Sequence, residues 1–200
     1  MRWLRILGKL CLPHAVALAL VERGLRRRQR RTDNLVLASL GSVHPTATFD
    51  TSLGGQIRIG HNVTVSEGAI IATYGGRIDI GDNVFIGPYA VLYGHGGLRI
   101  GNDVLIAAHT ILIPANHVFS DANALIRSQG VTRRGIEIGR DCWLGARVTV
   151  LDGCVIGEGS VVGAGTVVNK SLPPQSVAVG VPARIVSTRS DFSAKELVPT

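Results

Sequence analysis

Residues 136–169 read IEIGRDCWLGARVTVLDGCVIGEGSVVGAGTVVN, and an aliphatic residue returns there every six positions: Ile138, Leu144, Val150, Ile156, Val162 and Val168. A small residue follows four places after most of these, at Cys142, Val148, Cys154, Ser160 and Thr166, and glycine often comes directly after, at Gly139, Gly145, Gly157 and Gly163. A period of six fits neither a helix at 3.6 residues per turn nor a strand alternating at 2. It fits the hexapeptide repeat of a β-helix, one short strand and one turn per repeat. The aliphatic residue points inward, the small one fills the space near the corner, and glycine relieves backbone crowding at the bend.

Working outward, the same period runs from Leu37 to Asn169 and counts out as six coils of three hexads. The remaining aliphatic positions are Leu37, Val43, Phe49; Ile59, Val65, Ile71; Ile80, Ile86, Leu92; and Ile100, Ile106, Leu112. The fold class is therefore all-β, a parallel β-helix of about six coils over residues 35–170. Stacked at about 4.8 Å per coil, it makes a prism of roughly 29 Å. Tyr74-Gly75-Gly76 and Gly94-His95-Gly96-Gly97 read as small corner loops. One excursion, residues 113–135, is far longer; a long loop thrown from a regular repeat signals function, and Phe119, Leu125 and Ile126 give it apolar surface to pack with. Lys170-Ser171-Leu172-Pro173-Pro174 is read as the stop of the prism. An extension over 171–200 follows, with a short extended piece from Ser176 to Val186 and a mobile polar tail from Ser187.

Composition agrees with a cornered, narrow solid. The 25 glycines in 200 residues are nearly twice the usual share, and the aromatic content is only 4%. Cys142 and Cys154 fall at the small inward hexad position and read as core filler, so the three cysteines show no disulfide framework, and a reducing cytoplasm is the natural compartment. The net charge of +7 is uneven, with Arg23, Arg26, Arg27, Arg28, Arg30 and Arg31 in one run. No stacking aromatics or DNA-reading helix accompany it, which argues against nucleic acid.

Residues 1–34 form a separate basic, apolar helical segment. Its uninterrupted apolar run, Ala15 to Val21, is too short for the roughly 20 residues that cross a bilayer. Two readings stand for residues 1–31: peripheral contact with anionic lipid at the inner face of the plasma membrane, or packing on the β-domain or a neighbouring subunit.

Inward positions are structural, so chemistry must use corners, loops and outward faces. Phe85, Leu105 and Trp143 hold equivalent outward positions in successive coils and form an apolar stripe, the mark of an interface or a ligand groove. His117 lies at the start of the long loop, where an imidazole titrating near neutrality can take a proton from a hydroxyl. His109 lies at a corner and is the second candidate; His44, His61 and His95 read as ordinary corner residues. His109 and His117 are eight apart and no metal-ligand spacing is present, so no metal is expected.

These residues resemble a known family. Ile138-Gly139-Arg140-Asp141-Cys142-Trp143-Leu144-Gly145-Ala146, Val162-Gly163-Ala164-Gly165-Thr166-Val167-Val168-Asn169-Lys170 and Ala178-Val179-Gly180-Val181-Pro182-Ala183-Arg184 are similar to the C-terminal half of hexapeptide-repeat O-acetyltransferases, of the maltose/galactoside and polysaccharide-biosynthesis type. Asn116-His117, with Phe119 and Asp121 after it, resembles the start of the catalytic loop in capsule and lipopolysaccharide members. The resemblance implies a left-handed β-helix, a homotrimer with an active site between prisms, and His117 as the general base. It implies acetyl-CoA as co-substrate, with pantetheine along Trp143, Ala146 and Ala164 and phosphates near Asn169, Lys170 and Arg184. On the acceptor side it implies Asn116, Tyr89 and Phe85. Two departures matter: Gly87 or Tyr89 stands where galactoside enzymes carry an acceptor-side Asn, and their N-terminal acceptor segment is replaced by the basic helix.

The expected function is acetyl transfer to a sugar hydroxyl in capsule, exopolysaccharide or lipopolysaccharide biosynthesis. The same fold also serves drug acceptors such as streptogramins or chloramphenicol, and amino-sugar nucleotides. A non-catalytic assembly role is the reading from another class.

Overall fold

The structure, a computed structural model, describes residues 34–191 together with Val16, Leu20 and Gly24. Every aliphatic hexad position from Leu37 to Val168 is buried, and so are Cys142, Val148, Cys154, Ser160 and Thr166 beside them. A single apolar core of these residues fills the whole length of the prism. The chain winds around it as a left-handed parallel β-helix of about six turns.

Three faces result. Face I stacks the first halves of Leu35–Val43 and Gln56–Val65, then Arg77–Ile80, Leu98–Ile100, Ile136–Ile138 and Val155–Ile156. Face II stacks the second halves of the two long strands, then Phe85–Ile86, Leu105–Ile106, Trp143–Leu144, Val161–Val162 and Ser176–Val179. Face III stacks Thr48–Asp50, Ile70–Ala72, Val91–Tyr93, Ile111–Ile113, Thr149–Leu151 and Val167–Val168. Pairing within each stack is parallel, because each coil advances the chain by one strand spacing and returns it in the same direction.

The corners are left-handed in backbone conformation and differ by edge. On the I/II edge Asn62, Asn83, Asp103 and Asp141 hold φ between 53° and 61°; Asn and Asp accept this region readily. The II/III edge holds Tyr89, His109 and Arg147 at φ 57–60°. Gly145 shows why hexads favour glycine: a Cβ there would stand 2.7 Å from the Ala164 backbone nitrogen.

The C-terminal part departs from the sequence expectation. Leu172 is buried and bridges in parallel to Ile156, and Ser176–Val179 pairs with Val161–Val162, so the prism continues into part of a further coil past Pro173-Pro174. The chain then turns and returns antiparallel as Arg184–Thr188. The tail from Ser187 is therefore held, at least to Asp191: Arg189 Nη1 donates to Asp141 Oδ2 at 2.6 Å. Proline ends a ladder only where its missing N–H is needed, and Pro173 and Pro174 fall at a corner. The helical segment expected over residues 1–34 lies outside the described residues, except that Val16, Leu20 and Gly24 are helical and exposed. Among the described residues no helix is long and apolar enough to cross a membrane.

Candidate active site

The long loop leaves the prism at the III/I edge and is ordered by its own contacts. Asn116–His117 pairs antiparallel with Val131–Thr132, and Val118 N–H donates to Gly130 O at 3.0 Å. Thr132 Oγ1 donates to Asp152 Oδ2 at 2.8 Å, while Asp152 Oδ1 accepts the N–H groups of Arg134 and Gly135 at 2.8 and 3.0 Å. One carboxylate thus anchors the returning arm to the next coil. At the tip, Gln129 accepts from Asp121 N–H at 3.0 Å and donates to the carbonyls of Asp121 and Ala124 at 2.9 and 3.0 Å. A short 3-10 turn, Ile126–Ser128, closes the tip.

Asn116 and His117 are exposed on this ribbon. The Asp121 carboxylate accepts the Asn123 N–H at 2.9 Å, which makes it a turn residue at the tip. Phe119, Leu125 and Ile126 are 73%, 72% and 55% exposed, so among the described residues the apolar surface of the loop is largely uncovered.

Trp143 lies on face II, the face opposite the III/I edge. Phe85, Leu105, Trp143 and Val161 follow one another in register, the first three 39–50% exposed. Past the stripe, Ala146 and Ala164 sit on the II/III edge, where Gly165 N–H donates to Ala146 O at 2.8 Å. Tyr89 is on the same edge, its ring stacked on His109 at 5.4 Å. Arg184 opens the returning strand opposite Val179, and Asn169 and Lys170 are exposed where face III ends at the top of the prism. A single chain therefore gathers the proposed residues into two separate groups. Asn116 and His117 stand on one edge; Phe85, Trp143, Ala146 and Ala164 line the opposite face and its border.

A groove of about 570 Å³ lies on face I between Arg77, Asp79, Arg99, Glu137 and Arg134, and none of these groups lines it. Among the described residues no three His, Cys, Asp or Glu side chains gather to hold a metal. Burial raises the thiol pKa of both Cys142 and Cys154, as suits inert core filler.

Sequence reasoning missed three features. His95 is no ordinary corner residue: its ring stacks on Tyr74 and meets Tyr93 edge-on. Asp152 and Gln129, which hold the loop, carried no signal beyond their polarity. The tyrosines did, since two of the three in the chain recur at successive glycine-rich corners, Tyr74-Gly75-Gly76 and Tyr93-Gly94-His95-Gly96-Gly97.

Comparison with known proteins gives a consistent picture. The family model for bacterial transferase hexapeptide (six repeats) matches residues 135–170, and that for the hexapeptide repeat of succinyl-transferase matches residues 77–112. A Mycobacterium tuberculosis protein described as a probable acetyltransferase is 34% identical over 94% of this chain, which spans 56% of that relative's length. A Staphylococcus aureus protein, assigned to the acetyltransferases in similarly provisional terms, is 37% identical over 80% of this chain and 69% of its own length. Among solved structures, a variant of AntD, an N-acyltransferase from Bacillus cereus in complex with dTDP and coenzyme A, superposes with a TM-score of 0.69. It is 25% identical over 82% of this chain and 88% of its own.

Proposed function

This chain belongs to the hexapeptide-repeat acetyltransferases, and from that premise we propose that it transfers the acetyl group of acetyl-CoA to a sugar hydroxyl, with His117 as general base. The observation that carries the reading is the split between His117 and the Trp143 stripe. A ring of three parallel prisms with II/III edges toward the axis sets face II of one chain against face III of the next. The III/I edge of that neighbour then carries its His117 loop over the stripe, and Phe119, Leu125 and Ile126 find apolar cover. The active unit of this reading is a homotrimer with a site in each groove.

In each groove, Trp143, Ala146 and Ala164 of one chain line the pantetheine arm, and their small neighbours allow close backbone approach. Lys170, Asn169 and Arg184 take the phosphates, where cations and amide donors meet anionic oxygen. Coenzyme A in the AntD complex supports this co-substrate. Asn116 and Phe85 flank the acceptor, and Tyr89 lies toward the inner end of the groove. The His117 imidazole takes the proton from the acceptor hydroxyl as its oxygen attacks the thioester carbonyl carbon. The tetrahedral intermediate collapses, the C–S bond breaks, and the imidazolium returns its proton to the departing thiolate. Such a base contributes about 10² to 10⁴ in rate.

The basic segment over residues 1–31 favours an acceptor held on a lipid carrier at the cytoplasmic membrane face, as capsule and lipopolysaccharide precursors are. A second reading, transfer to the amino group of a nucleotide-linked sugar, is favoured by the likeness to AntD. Thiol release from acetyl-CoA, across sugars, nucleotide amino sugars and antibiotics, separates the two. Turnover with a hydroxyl acceptor that His117→Ala lowers at least a hundredfold is the expected result. Turnover unchanged in that variant rejects His117 as base, and turnover confined to amino sugars moves the assignment to N-acetylation.

A further inference from the structure

The III/I edge carries a three-ring cluster beneath the loop. Tyr74 and His95 stack with centroids 4.4 Å apart and planes 7° from parallel. Tyr93 meets Tyr74 edge-on at 4.8 Å and His95 at 5.6 Å. Tyr74 ends the second coil; Tyr93 and His95 end the third, directly under the coil from which the loop departs. The contact with the loop is tight: a Cβ on Gly96 would come within 2.6 Å of Pro114 O and 2.7 Å of Arg133 C, one on each arm of the loop.

Two properties mark this cluster. Tyr74, left-handed at φ +45° like the other corners, keeps 37% of its surface exposed beside Gly75 and Gly76. His95 Nδ1 is buried without a hydrogen-bond partner, and burial first, then the Arg133 charge, disfavour its protonated form. The rings thus form an uncharged aromatic cluster, a parallel Tyr74–His95 stack with Tyr93 steeply inclined to it, one to two rungs of about 4.8 Å each below the root of the His117 ribbon.

We propose that Tyr74, Tyr93 and His95 are the platform on which the acceptor's pyranose ring stacks, so that a hydroxyl at its upper rim meets His117. The negative π-faces attract the polarised C–H face of a hexopyranose, and one such ring spans the rungs between platform and loop. This rests on the reading of the chain as a sugar acetyltransferase and adds its acceptor subsite. In the three-prism arrangement the platform lies along the same groove as the partner's stripe.

The test is saturation-transfer NMR on the full chain with methyl glucopyranoside, galactopyranoside and mannopyranoside. Wild type, Tyr74→Ala, Tyr74→Leu and Tyr74→Phe are compared, with coenzyme A affinity and melting temperature followed in each. Wild type and Tyr74→Phe should bind at least one pyranoside alike. Tyr74→Ala and Tyr74→Leu should bind it about tenfold more weakly with coenzyme A binding intact. Tyr74→Leu keeps the apolar bulk, so the comparison survives if the alanine variant melts low. Pyranoside binding indifferent to Tyr74→Leu, or absent from the wild type, overturns the platform. Sugar binding as expected, without acetyl transfer to any acceptor, would instead count against the enzymatic reading and leave the platform standing.

Discussion

Faces I and II share one interior and carry opposite exteriors. On face I the outward residues Arg58, Asp79, Arg99 and Glu137 follow in register, so charge alternates in sign from coil to coil. Arg77 adds a two-pronged contact to Asp79 at 2.6 and 2.8 Å. On face II the corresponding series is Phe85, Leu105, Trp143. Face III extends the contrast: Ile70-Ile71-Ala72, Val91-Leu92-Tyr93 and Ile111-Leu112-Ile113 are apolar inside and out, the pattern of strands covered on both sides. The inward hexad residue decides that a coil forms; its neighbour decides whether that coil meets water or another surface.

The largest effect should come from forcing the exterior of face I onto face II. Leu105→Arg places an unpaired charge in the stripe, and burying one costs about 3–5 kcal/mol, a hundredfold or more in association. If the three-prism arrangement proposed above holds, analytical ultracentrifugation should show a wild-type trimer replaced by monomer in the variant, with the β-structure intact. A wild type that is already monomeric, or a trimer that persists in the variant, would show that face II is open to solvent. Next in size is the loop anchor where face I borders the III/I edge. Asp152→Ala frees Thr132, Arg134 and Gly135 together, and misplacing a base by an ångström lowers turnover about a hundredfold. Hydrogen exchange over residues 116–132 should quicken while coenzyme A affinity holds; unchanged exchange would show that the ribbon stands without its anchor.

How much of this the sequence carried depends on range. The hexads were legible because the inward aliphatic and the small residue beside it are fixed within six positions, and Cys142 and Cys154 fall where the pattern placed them. The stripe was legible for the same reason, since register between coils follows from the count. The anchor was not: Asp152 reaches Thr132 across a coil, 20 residues away, and no local pattern marks an acceptor chosen at that distance. Tyr74, Tyr93 and His95 meet because two successive corners stack on one edge, about twenty residues apart in the chain. Lys170 to Pro174 reads as the stop of the prism, whereas Pro173 and Pro174 turn a corner and the ladder resumes at Ser176–Val179. The residues proposed for the chemistry stay separated in one chain, so a sequence read as one chain could name His117 and Trp143 without placing them.

Titration tests the edge beside face I, where the folded pKa of His95 is lowered, by burial and then by Arg133. The unfolded chain therefore takes up a proton that the fold resists. Stability should fall as pH drops below the ordinary histidine value of 6.5, and level off below the lowered folded value. His95→Phe keeps a ring against Tyr74 and Tyr93 and removes the titration. Melting temperatures at pH 7.5 and 5 should converge in the variant relative to wild type; identical pH slopes would detach His95 from the effect.

The smallest effect belongs to face I itself. Arg77→Ala deletes the closest ion pair of the ladder, yet both side chains are largely in water, at 53% and 31% exposure. An exposed pair of this kind contributes little to stability. Denaturant unfolding should therefore show almost no shift in midpoint, and less still in 0.5 M salt, with the oligomeric state unchanged. The hydrogen bond to Asp79 raises the Arg77 pKa further from neutrality. A large drop in the midpoint, or a change of oligomeric state, would mean that the ladder is covered by another surface. Faces I and II would then differ in partner rather than in exposure.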